Sequence, residues 1–159
     1  MHEFDYLVRK INAEISPDEK AAQEAQGAYL DAIEQLIKHL AWKDFELLMD
    51  LVFRQAGWQR LGQVGKTQKS LDLDLLSPIR NERYLVQVKA LADKGTFEQF
   101  QQKTSALEEY ACYYFAVHTP DDNLTKELET ETYKLWLPGD IARLTVQYGL
   151  AEWVIDKAK

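Results

Sequence analysis

The sequence predicts an α/β domain built on a mixed central sheet flanked by helices, and three observations lead there. Strand-like segments at residues 58–64, 71–76 and 84–90 follow one another across short polar turns, which implies antiparallel hairpins. A helix-like segment then separates them from the apolar run YYFAV at 113–117, so that last strand is reached by a crossover. Amphipathic helical stretches stand on both sides of this block.

Each element has its own signal. Ser16-Pro17-Asp18-Glu19 reads as a helix start, with serine free to cap the open amides, proline suited to the first helical position and Glu19 closing a capping box. The helix that follows carries Tyr29, Leu30, Ile33, Leu36, Ile37 and Leu40 at helical spacing, a face for packing on the main domain or on a second copy of the chain. A second helix over 42–56 has Phe45, Leu48, Met49, Val52 and Phe53 on one side, and Gly57 stops it. After the three strands, Thr96-Phe97-Glu98-Gln99 predicts a capped helix running to about residue 109. A short strand is expected near 133–137, and Pro138-Gly139-Asp140 opens a terminal helical region broken near Gly149.

A chain of 159 residues suits one domain with one core. No apolar run approaches the roughly 18 residues that span a bilayer, and the first residues lack the apolar stretch of a signal peptide. Cys112 is the single cysteine, which rules out an intrachain disulfide and fits a reducing, cytoplasmic setting. The net charge of −7 speaks against a nucleic-acid partner at first sight. Its distribution softens that objection. Between Trp58 and Lys103 stand eight basic and five acidic residues, a surplus of three, so the rest of the chain carries −10.

The residues with chemistry lie in the second and third strands. In YLVQVKA, Gln87 and Lys89 point to one face and Val86 and Val88 to the other, and a lysine there is costly to bury unless something anionic meets it. In LDLDLL, Asp72 and Asp74 share a face. If the two strands pair across the turn at 77–83, the carboxylates approach the lysine, an arrangement suited to a hard metal ion and a phosphate. Other signals fail. Gly62–Thr67 ends like a phosphate-binding loop, but Arg60 stands where that motif needs glycine and a strand follows instead of a helix. His2, His39 and His118 are too scattered for zinc, and His118 is expected to make a structural hydrogen bond. Cys112, before an aromatic strand, reads as a core residue.

With Phe45-Glu46 on the preceding helix, Asp74 on the second strand and Gln87-Val88-Lys89 on the third, the chain resembles the PD-(D/E)XK nucleases, and among them the Mrr-like restriction endonucleases, where glutamine replaces the acid of the last motif. The resemblance extends from about Trp42 to Val117. It implies a three-layer restriction-endonuclease-like core over 42–159, with residues 1–41 as a helical extension packed on it. It implies hydrolysis of phosphodiester bonds in DNA, RNA being the other candidate, with Mg2+ or Mn2+ held by Asp74, the Gln87 side chain, the Val88 carbonyl and Glu46. Lys89 would orient or deprotonate the attacking water or stabilise charge on the phosphate. Asp74 is preferred to Asp72 because it lies deeper in the strand, although no glycine stands two residues before it. Lys66, Lys69, Lys94 and Lys103 are weaker candidates for phosphate contacts, and Gln99, Gln101 and Gln102 read as ordinary helix surface. A homodimer would place one site on each DNA strand, and the lack of a separate recognition domain suggests weak intrinsic specificity or a targeting partner. Two rival readings are a nuclease fold without catalysis that binds DNA or protein, and an acidic protein-binding partner such as an immunity factor.

Overall fold

A computed structural model describes residues 3, 5, 7, 8, 14–67 and 70–159. Helix α1 (Pro17–His39) begins as expected: Ser16 is its N-cap, the hydroxyl accepts from the Glu19 amide at 3.2 Å, and Pro17 opens the first turn. Helix α2 (Trp42–Gln55) follows after two residues and stops at Gly57, whose φ of 82° only glycine adopts without strain. Strands β1 (Gln59–Thr67), β2 (Ser70–Ser77) and β3 (Glu82–Ala92) form an antiparallel meander. Helix α3 (Lys94–Thr104) crosses to β4 (Cys112–Pro120), which pairs parallel with β3. A second crossover, containing a short 3-10 turn, leads to β5 (Tyr133–Trp136), parallel to β4. Helices α4 (Pro138–Gln147) and α5 (Ala151–Lys157) close the chain, separated at Gly149 as the sequence predicts.

The sheet order is therefore β1-β2-β3-β4-β5, antiparallel at one side and parallel at the other. Alternation along each strand divides the apolar side chains between two layers. On one face Leu71, Leu73, Leu75, Val86, Val88 and Ala116 meet the apolar sides of α1, α2, α4 and α5. On the other, Leu85, Tyr113, Phe115, Val117 and Leu135 meet Phe97 and Phe100 of α3. This is the three-layer α/β core that the sequence leads one to expect. Of the α1 stripe, Ile33, Ile37 and Leu40 are buried, whereas Tyr29 is exposed. Only the second half of the helix therefore lies on the core, and α1 packs mainly against α4 and α5.

Two local expectations change. The cap of α3 is Asp93, not Thr96: Asp93 accepts from the Thr96 amide at 2.8 Å and Thr96 Oγ1 accepts from the Asp93 amide at 3.3 Å. Thr96 is thus the third helical residue of a reciprocal cap, and the helix ends at Thr104 because the polar stretch after it has no apolar face to bury. Among the described residues, no helix is long and apolar enough to cross a membrane.

Candidate active site on strands β2 and β3

Helix α3 covers the second face of β3, β4 and β5, and among the described residues the apolar cluster beneath it does not extend to β1 and β2. The polar side chains collect at that border. In the β2–β3 ladder Ser70 stands opposite Lys89, Asp72 opposite Gln87 and Asp74 opposite Leu85. Opposed residues of an antiparallel pair point to the same face, so Asp72, Asp74, Gln87 and Lys89 form one strip. Their alternate partners Leu71, Leu73, Val86 and Val88 anchor the strip from beneath in the core. A slip of one residue would bury two carboxylates and expose that core, which fixes the register.

Strand β1 sets glycines opposite the two carboxylates. Gly62 stands opposite Asp74 and Gly65 opposite Asp72, with irregularities in the pairing beside each. Glycine inside a strand weakens it and is used where another group must approach closely. Here both carboxylates lack a cross-strand side chain on the β1 side.

Within the strip the two aspartates have different partners. Gln87 Nε2 donates to Asp72 Oδ1 at 2.8 Å. A carboxylate can only accept, so the amide nitrogen faces Asp72 and the Gln87 carbonyl oxygen is directed elsewhere. Asp74 is gripped by Arg83, whose Nε donates to Oδ1 at 3.3 Å while Nη2 is paired with Oδ2. The guanidinium lies 5.0 Å from the centre of the Tyr110 ring. That hydrogen bond to Asp74 raises the Arg83 pKa further. Burial raises the pKa of the Tyr110 hydroxyl, with a further rise from the Asp74 charge and a lowering by Arg83.

The other expected residues fall into place around this strip. The Val88 side chain is buried on the far face, so only its backbone carbonyl, between β2 and β4, can serve a ligand. Lys89 is half-buried at the end of the strip and makes no ion pair among the described residues. Glu46 is half-buried on α2, whose apolar side packs on the opposite face of the sheet. Among the described residues no three of His, Cys, Asp and Glu converge on one point, so Glu46 does not join Asp72 and Asp74 in such a group. Lys94 and Lys103 are exposed on α3, the helix on the strip's side, and Lys94 lies 3.9 Å from Glu98. Lys69 and the side chain of Lys66 lie outside the described residues.

Asp72 and Asp74, two residues apart on one face of a rigid strand, supply the hard oxygen donors that a divalent cation takes. Sequence reasoning passed over Arg83 and Tyr110. Arg83 sits just after a turn, and its side of the strand becomes meaningful only once the register with β2 is known. Tyr110 reaches the site from the loop before β4 and carries no local signal.

Two other sequence readings agree with the structure. His118 Nε2 donates to the Leu40 carbonyl at 2.8 Å, so the neutral ring accepts from Thr119 Oγ1 through Nδ1 at 2.7 Å, and burial lowers its pKa. Cys112 is buried, and burial pushes its thiol pKa up, away from the nucleophilic form.

No curated protein and no solved structure matches this chain. The family model Mrr_cat, described as a restriction endonuclease, matches residues 37–131, which run from the end of α1 through β4 and include the whole strip. More than half of the chain is covered by that match, and with the order and layering of its elements it establishes that this protein belongs to the Mrr catalytic family, a nuclease of the restriction-endonuclease type.

Proposed function

We propose that this protein is a metal-dependent endonuclease that cleaves DNA phosphodiester bonds at the strip formed by Asp72, Asp74, Gln87 and Lys89, and that it acts in restriction or genome defence. The register carries this reading: it sets two carboxylates, a carboxamide and a lysine on one face, with two glycines opposite the carboxylates. Asp74 and Asp72 would hold Mg2+ or Mn2+, and the Gln87 oxygen and Val88 carbonyl would join them only if the Gln87 amide turned from the orientation in which its nitrogen faces Asp72. When bound, such an ion polarises a phosphoryl oxygen and makes its water a better nucleophile. Gln87 orients Asp72 through their hydrogen bond. Lys89 then stands where it can hold the attacking water or neutralise charge developing on the phosphate. Gly62 leaves room beside Asp74 for the substrate backbone.

The test is cleavage of plasmid and single-stranded DNA, with RNA in parallel, in Mg2+, Mn2+ or EDTA. Asp72→Ala, Asp74→Ala and Lys89→Ala are run beside the wild type. Metal-dependent nicking lost in Lys89→Ala, with the circular dichroism unchanged, is the expected result. The loss should be on the order of 10²–10⁴-fold, the usual contribution of a positioned acid–base group. Full activity of Lys89→Ala refutes the assignment. The engagement of Asp74 by Arg83 favours a second reading, a nuclease fold that binds without cleaving. Metal-independent DNA binding without cleavage by the folded wild type would establish that reading instead.

A further inference from the structure

We propose that Arg83 is a cationic latch on the metal site, occupying the Asp74 carboxylate until a divalent ion displaces it. The inference rests on the metal-dependent reading above and adds to it a positioning residue. Arg83 stands opposite Leu76, one row along the same face from the Asp74–Leu85 row. Its fork takes both Asp74 oxygens, so the positive charge sits on the side from which Asp74 would meet a cation. Asp72 differs: one of its oxygens accepts from a neutral amide and no cation grips it among the described residues.

The exposure of the pair suits exchange. The Asp74 side chain is 14% exposed and that of Arg83 36% exposed, so the carboxylate is anchored while the guanidinium keeps a path to water. A pair sealed in the core would be locked, and a fully exposed one would hold little. Displacement need not strand the guanidinium. It already lies over the Tyr110 ring, and the Glu109 charge acts on it as well. The latch also has a purpose in the resting protein. Asp72 and Asp74 are second neighbours on one strand face, and Arg83 neutralises one of them while no ion is bound.

The test is calorimetric titration of the DNA-free, full-length protein with Mn2+, comparing wild type with Arg83→Gln, Asp74→Asn and Arg80→Gln. Arg80 is an exposed cation of the same turn whose ion-pair partner is Glu82, so it controls for a simple change of net charge. Arg83→Gln should bind Mn2+ about tenfold more tightly, the scale of one charge-assisted contact removed from competition. Arg80→Gln should match wild type, and Asp74→Asn should lose binding. Equal or weaker binding by Arg83→Gln, with Asp74→Asn still inactive toward Mn2+, overturns the latch and leaves the metal site standing. Equal tightening by Arg80→Gln overturns it as a mere charge effect. No binding by any variant overturns the latch together with the metal-dependent reading. Should Arg83→Gln fail to fold, Arg83→Lys, which lacks the two-point fork, should bind Mn2+ more tightly than wild type. Unchanged affinity in that variant overturns the proposal.

Discussion

The glycine opposite Asp74 offers a substitution whose effects on stability and on activity should run in opposite directions. A Cβ built at Gly62 meets no heavy atom within 4 Å, and its φ lies outside the left-handed region. Gly62→Val therefore fits the strand. Loss of glycine's freedom in the unfolded chain contributes about 0.5–1 kcal/mol of stability, and valine suits a half-exposed strand position. For a domain of this size about 1 kcal/mol moves Tm by roughly 2–4 °C, so a rise of that order is expected. The two added methyl groups would stand beside the Asp74 carboxylate, since opposed Cβ atoms lie about 4.5–5.5 Å apart. That is the side from which a DNA backbone would approach the strip. Displacing a reacting phosphate by an ångström can cost on the order of 10²-fold in rate. The assays are thermal melting by circular dichroism and plasmid nicking in Mn2+. A variant that melts higher and nicks as fast as wild type would refute the view that this face receives substrate. A variant that melts several degrees lower would refute the register from which the reasoning starts.

Other perturbations follow from the same geometry. Gln87→Glu would set a carboxylate against Asp72 where a hydrogen bond at 2.8 Å now stands. Two adjacent carboxylates cannot both ionise cheaply, so this variant should be less stable at neutral than at acidic pH and regain stability with Mn2+, read as a urea midpoint. Phe115→Ala removes a ring that is 0% exposed and packed on Phe97 and Phe100. A loss of about 3–5 kcal/mol is expected from chemical denaturation, because α3 loses its central contact with the sheet. A loss below about 1 kcal/mol would mean that α3 is not seated there. For His118, burial holds the folded pKa below the ordinary value of 6.5, so the unfolded state binds the proton more readily. Its contribution is present above pH 6.5 and is lost as pH falls through the folded pKa. The urea midpoint of wild type should drop more between pH 7.5 and 5 than that of His118→Gln, and identical drops would refute the linkage.

Periodicity alone carried much of this protein. Alternation in LDLDLL and YLVQVKA placed Asp72 with Asp74 and Gln87 with Lys89, because a strand side chain's face depends only on its parity in the sequence. The caps and breaks at Ser16, Gly57 and Gly149 were legible for a similar reason, since each acts within one turn of backbone. The cap of α3 was misplaced by three residues because Asp93 and Thr96 both belong to one reciprocal cap and either can be read as its start. What parity cannot supply is register. Which aspartate faces Gln87 depends on the length and shape of the turn at 78–81, where Asn81 takes a φ of 53°, and the ladder selects Asp72. The grip of Arg83 on Asp74, the backing of Tyr110 and the clearance left by Gly62 likewise join residues on different elements. Such contacts have no local energy to mark them in a sequence. They exist because burying the leucines of β2 and the valines of β3 on one face leaves the polar side chains a single place to stand.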